Sequence, residues 1–205
     1  MINKELKKYI EEKILPNYLN FDKGHNIEHV NSVIQDSFDL AQKFNLNPDI
    51  VYTIAAYHDL GLCRDRKTHH LISGEILIND NTLKRWFSAQ ELLIMKEAVE
   101  DHRASSKNEP RSIYGKVIAE ADRSIEPVSI IKRTIQYSVN NSPEEPKSIH
   151  YKHLVEHMQE KYAEGGYMKL WLESSKNAKG LNELRKIISQ PEKLKEIFEK
   201  IYEEI

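Results

Sequence analysis

The stretch Ala55-Ala56-Tyr57-His58-Asp59-Leu60-Gly61 constrains the fold of this chain more than any other. An apolar run from Ile50 to Tyr57 ends in an adjacent histidine and aspartate, and a glycine follows at once. Burying two polar side chains at the end of an apolar helix is costly unless something pairs with them. A divalent metal would do so, because imidazole nitrogen and carboxylate oxygen suit Zn, Mn, Fe, Co or Ni. Neighbours on a helix diverge by about 100°, so the pair cannot fill a coordination sphere alone. The other ligands must come from other helices.

The rest of the chain has the periodicity to supply them. Residues 2–19 read as a helix with Pro16 late in it, and 20–25 as a loop. Ile27, Val30, Ile34, Phe38, Ala41 and Phe44 form one stripe of a helix over 26–45, with His29 beside it near the start. Asn47-Pro48 opens the helix that ends in the His58-Asp59 pair, with Asn as cap and Pro in the first turn. Gly61 reads as its stop. Residues 62–67 form a basic loop, and a helix from about Thr68 to Asn79 carries His70 and Gly74. Ser88–Glu91 is a capping box opening a helix to His102. A basic loop, 103–111, leads to an apolar helix ending at Asp122-Arg123.

Beyond Pro127, helices are expected at 128–140 and 144–163. The second carries His150, His153 and His157 on one side, read as a surface face because no apolar context buries them. Gly165-Gly166 breaks that helix, and a last one follows the Ser189–Glu192 capping signal. No strand alternation appears. The fold class is therefore all-α: a single domain over 1–205, with a core at about 20–125 and a C-terminal helical extension over 126–205.

A formal net charge of −2 carries no nucleic-acid signal. No run approaches the length of a membrane span, and the charged N-terminal stretch lacks an apolar signal region. The one cysteine, Cys63, excludes an intramolecular disulfide and fits a reducing compartment. A cytoplasmic location is expected.

Polar groups recur at the ends of apolar helices: His29, His58-Asp59, His102 and Asp122, with His70 opening another. The order His, His-Asp, Asp resembles the HD superfamily of metal-dependent phosphohydrolases. The matching segments are His25-Asn-Ile-Glu-His29-Val, Ala55 to Gly61, and Ala119-Glu-Ala-Asp122-Arg123, within residues 20–125. The resemblance implies an HD-type helical bundle around one or two divalent ions (Mn, Fe, Co, Ni, Zn or Mg). It implies His29, His58, Asp59 and Asp122 as ligands of the first ion; Gly24 argues against the helix reaching back to His25, which reads as a pocket-rim residue. His70-Leu-Ile-Ser-Gly74 and Val99-Glu-Asp-His102 are similar to the second-metal segments of dinuclear members, among them bacterial diadenosine tetraphosphate hydrolases and cyclic-dinucleotide phosphodiesterases. They imply His70 and His102 as further ligands and Asp59 as a bridge. His69 is the alternative to His70, and the spacing to Gly74 favours His70. Asp101 is a further candidate ligand.

The implied activity is hydrolysis of a phosphate ester or anhydride, on a nucleotide or other phosphorylated small molecule, by metal-activated water. Arg64, Arg66, Lys67, Arg103, Lys107, Arg111 and Arg123 follow the metal segments. Arginine's forked donors suit phosphate oxygens, so Arg64, Arg66, Lys67, Arg103 and Arg123 are expected to bind substrate. So many charges point to more than one phosphate group. Two other readings remain: a di-iron oxygenase of HD type, and a non-catalytic metal- or nucleotide-binding module.

Overall fold

The structure, a computed structural model, describes residues 1–22, 24–103, 106, 108–173 and 175–205. Lys107, expected among the basic residues, lies outside the described residues. Among the described residues every regular element is helical, as the sequence pattern implies. They form two compact units, Met1–Arg123 and Ser124–Ile205.

In the first unit, helix α1 (Lys4–Tyr9) starts at Asn3, whose side chain accepts from the N–H groups of Glu5 and Leu6. The chain then changes pitch twice, through a π turn at Ile10–Ile14 and a 3₁₀ turn at Leu15–Asn20. Pro16 lacks the N–H that a regular helix would use there. Next come α2 (Ile27–Ala41), α3 (Pro48–Tyr57), α4 (His69–Asn79), α5 (Ala89–Asp101) and α6 (Ile113–Ala121). The caps read from sequence form. Asn47 accepts from the Asp49 N–H, and Ser88 and Glu91 make the reciprocal capping box.

Helix α3 is the centre of this unit. Every residue from Ile50 to Tyr57 is buried, and α2, α4, α5 and α6 all pack on it. A helix enclosed on all sides has no use for a polar face, hence its continuous apolar run. Its last turn is tied down by hydroxyl groups. Tyr57 and Tyr9 both donate to Asp80 Oδ2, at 2.6 and 2.5 Å. The Tyr18 hydroxyl donates to the Ala56 carbonyl at 3.0 Å and accepts from the Asp59 N–H at 3.3 Å.

Gly61 has a different reason from the one its position implies. Helix α3 already ends at Tyr57, and Gly61 lies within the 3₁₀ turn Leu60–Cys63. A Cβ there would fall 2.1 Å from the His69 carbonyl oxygen and 2.8 Å from the Ser73 nitrogen. The first turn of α4 rests directly on this glycine, and the Gly61 N–H donates to Ser73 Oγ at 2.8 Å. Gly61→Ala must therefore push α4 outward. Overpacking of this kind costs roughly 1–3 kcal/mol, so the denaturation midpoint should fall at unchanged m value. A midpoint equal to wild type would show that α4 does not bear on this turn.

The second unit contains α7 (Pro127–Asn141), α8 (Lys147–Lys161), α9 (Lys176–Ile188) and α10 (Pro191–Tyr202). They enclose Ile131, Ile135, Leu154, Met158, Leu184 and Phe198. Helix α9 is absent from the sequence reading. Its start, Lys-Asn-Ala-Lys-Gly, is polar and carries a helix-weakening glycine. Yet Leu181, Leu184 and Ile188 are buried, and a Cβ at Gly180 would meet the Ile125 carbonyl oxygen at 1.9 Å. The Ser189–Glu192 box does not form: Ser189 Oγ donates to the Lys186 carbonyl, and α10 begins at Pro191. His150 is not on a surface face either. It is fully buried, with Nδ1 2.9 Å from Ser138 Oγ. No helix among the described residues is long and apolar enough to cross a membrane.

Candidate metal centre

The helix ends of the first unit bring the polar groups together. His29 lies in the first turn of α2, His58 caps the C-terminus of α3 with Asp59 next to it, and His69 opens α4. His102 and Asp122 cap the C-termini of α5 and α6. His58, Asp59 and His102 are almost wholly buried.

The donor atoms fall into two groups that share one residue. In the first, His58 Nε2 lies 3.2 Å from Asp59 Oδ2 and 3.6 Å from Asp122 Oδ1. His29 Nε2 lies 3.1 Å from Asp122 Oδ1, 3.6 Å from Asp59 Oδ2 and 3.3 Å from His58 Nε2. In the second, His69 Nε2 and His102 Nε2 each lie 3.4 Å from Asp59 Oδ1 and 3.1 Å from each other. Asp59 thus turns one oxygen to each group. Each set lies close enough together to hold a metal ion.

The ring nitrogens that face away decide what those that face inward can do. Nδ1 of His58, His69 and His102 meets the carbonyl three residues back, on Ala55, Arg66 and Val99, at 2.8, 2.8 and 2.5 Å. A carbonyl only accepts, so each Nδ1 carries a hydrogen, and in the neutral ring Nε2 keeps the lone pair. His69 and His102 then aim two lone pairs at each other, a repulsive arrangement unless a cation lies between them. Imidazole and carboxylate donors, with Nδ1–H held by a backbone carbonyl, fit a first-row divalent metal.

The titration of the cluster follows. Burial pulls the His29 pKa down, but hydrogen bonds to Asp122 and Asp59 outweigh it and lift it to about 9. Burial also opposes the charged form of His58, and the Asp59 charge more than reverses this. Asp59 and Asp122 are held well below the usual carboxylate range. Burial would raise both, but the charge of His58 and the hydrogen bond of His102 on Asp59, and the hydrogen bonds of His29 and His58 on Asp122, prevail. Protons in the first group occupy the place a cation would take. In the second group burial pulls His69 down, which keeps its lone pair available.

The structure puts His69, not His70, in the second group. The His70 ring leaves α4 about 100° further round, and its buried Nδ1 has no hydrogen-bond partner. Burial, then the charges of His102 and His69, pull its pKa down to about 4. Gly74, whose spacing favours His70, instead admits the Glu100 side chain, with Cγ 2.9 Å from where a Cβ would sit. Asp101 lies outside both groups and accepts from the backbone N and Nε of Arg111, at 2.7 and 3.0 Å. Tyr18, which holds the Asp59 backbone, is the other residue the sequence does not single out; nothing there separates it from a core tyrosine.

The basic residues scatter more widely. Arg66 donates to Asp22 Oδ2 at 2.7 Å, and Arg111 is occupied by Asp101 and Glu100. Arg103 Nη1 donates to the Lys67 carbonyl at 2.6 Å, and its charge acts on His69 and His70. Arg64 and Lys67 are exposed, while Arg123 is buried beside Asp122. His25 Nδ1 lies 2.9 Å from Asp22 Oδ1, with its ring 5.8 Å from that of His29.

Residues 26–125 match the HD domain family. The chain is also similar to a crystal structure of a predicted HD superfamily hydrolase from an uncultured Thermotogales bacterium. The TM-score is 0.50 at 21% identity, over 76% of this chain and 88% of that one. At that identity the likeness bears on the fold alone. No curated protein matches the chain.

Proposed function

Residues 26–125 are an HD domain, and from that premise we propose that the protein is a metal-dependent phosphohydrolase acting on a nucleotide or related phosphorylated small molecule. The observation that carries this reading is the division of Asp59, with Oδ2 facing His29 and His58 and Oδ1 facing His69 and His102. One ion would be held by His29, His58, Asp59 and Asp122, and a second by Asp59, His69 and His102. When bound, such ions supply Lewis acidity and lower the pKa of water toward neutrality.

The chain's own residues set the rest. The backbone carbonyls of Ala55, Arg66 and Val99 hold three rings in one tautomer and one direction. The second group offers three protein donors, which leaves room for other partners as catalytic sites require. Arg103 and Arg123 adjoin His102 and Asp122 in sequence, the Arg103 charge acts on His69, and guanidinium groups suit phosphoryl oxygens. Arg66 is held by an exposed ion pair worth at most about 1 kcal/mol, so a phosphate can take the place of Asp22. Arg64 and Lys67 stand beside it on the same loop.

The test is metal analysis of protein purified without added metal, then phosphate release from nucleoside mono- and polyphosphates. Chelation should abolish release, Mn, Co, Ni or Fe should restore it, and the polyphosphates should be the better substrates. Protein that holds metal yet releases phosphate from none of them would overturn the reading. Iron-loaded, coloured protein that consumes oxygen instead would establish the oxygenase alternative.

A further inference from the structure

A cavity of about 590 Å³ opens between α7 and α8, lined only by residues of the C-terminal unit. That volume is typical of small-molecule sites. The two helices turn polar stripes toward it. From α7 come Arg133, Tyr137 and Ser138, and from α8 come His153, His157 and Lys161 at four-residue spacing. The apolar stripes of the same helices, with Ile131, Ile135, Leu154 and Met158, go to the core. The lining holds an arginine, a lysine and two histidines, and no carboxylate. The chain as a whole has 32 acidic against 30 basic residues, so this wall is a local departure from the average charge.

A hydrogen-bond chain that starts at buried His150 and Ser138 fixes what His153 offers. Ser138 Oγ lies 2.9 Å from His150 Nδ1 and 3.1 Å from His153 Nδ1. A hydroxyl has one hydrogen, so it donates to one ring and accepts from the other. His150 Nε2 is buried without a partner, and an orphaned N–H is rarer than an orphaned acceptor. His150 therefore carries its hydrogen on Nδ1 and gives it to Ser138, which donates to His153 Nδ1. His153 is left with an N–H at Nε2, so the groove wall gains a donor beside its two permanent cations. Tyr137, on the same wall, is 71% exposed, which leaves a ring face open to stack on a flat ligand.

We propose that this groove is a second ligand site, which binds a small phosphorylated molecule carrying an aromatic ring. The phosphate is held by Arg133, Lys161 and His153, and the ring stacks on Tyr137. Two full positive charges and a donor match a phosphate dianion better than a singly charged carboxylate. The site depends neither on the metal centre nor on the hydrolase reading.

The experiment is calorimetric titration of the chelated full-length protein with AMP and with inorganic phosphate. The variants are Arg133→Glu, Lys161→Glu, Tyr137→Ala and Asp59→Ala, each checked for wild-type helix content. AMP should bind wild type and Asp59→Ala equally. Arg133→Glu or Lys161→Glu should weaken it at least about ten-fold, the size of one charge-assisted contact. Tyr137→Ala should bring AMP down toward the weaker affinity of inorganic phosphate. No AMP binding at millimolar concentration would overturn the proposal. So would binding lost in Asp59→Ala but kept in both charge variants, which would put the ligand at the metal centre. Affinity for AMP unchanged by Tyr137→Ala would reject the ring-binding half.

Discussion

Asp59→Ala should lower kcat/KM for phosphate release at least about a thousand-fold, or some 4 kcal/mol of transition-state stabilisation. It should also leave less than one metal ion per chain. The size of the effect comes from sharing. No other residue belongs to both groups, so one substitution reduces the first to His29, His58 and Asp122 and the second to a bare pair of histidines. His58 also loses the nearer of its two carboxylates, at 3.2 Å against 3.6 Å. Helix content should hold, because α3 ends at Tyr57, before the substituted residue. Wild-type protein should gain thermal stability when metal is added, by about 2.7 kcal/mol at a hundred times Kd; the variant should gain far less. Full metal occupancy and full activity in Asp59→Ala would dismiss this cluster as the catalytic centre.

His69→Ala and His70→Ala should behave very differently although the residues are neighbours. Only His69 directs a nitrogen at Asp59 and His102. Its loss should halve the metal content and cost at least about a hundred-fold in kcat/KM, the upper end for losing a residue that only orients a metal ligand. His70→Ala removes a partly buried ring whose Nδ1 has no partner. It should stay within about three-fold of wild type. Metal analysis and kinetics on the two variants, side by side, decide the matter. Equal losses, or the larger loss in His70→Ala, would remove His69 from the second group.

Features written within a few residues were legible in the sequence. Asn47-Pro48 and Ser88–Glu91 start helices through contacts inside one turn. The continuous apolar run of α3 could belong only to an enclosed helix. The ordered polar groups at helix ends were enough to expect His29, His58, Asp59 and Asp122 at one place, where the structure brings them together. Features set by distant partners were not legible. The rotation of α4 that selects His69 over His70 depends on Gly61 accepting the His69 carbonyl against it. Helix α9 survives an internal glycine because the Ile125 carbonyl needs the room. His150 is buried through a serine on another helix.

The hydrogen bonds from His58, His69 and His102 to carbonyls three residues back have a consequence for how this centre is inherited and lost. Each ring is aimed by a closed loop of four residues, not by a carboxylate borrowed from elsewhere in the chain. The last carbonyls of a helix C-terminus lack regular intrahelical partners; the Ala55 carbonyl takes the His58 ring, and the Val99 carbonyl takes the His102 ring beside the His102 N–H at 3.5 Å, so aiming the ring and finishing the helix coincide. The aim of each of these rings on its own element is therefore set once the local turn has folded, and the packing of the helices then brings them together. Surface residues around the centre can drift without misdirecting these rings. A change that opens the turn between Ala55 and His58 or between Val99 and His102 would misdirect a ring and disarm the centre as surely as deleting a histidine.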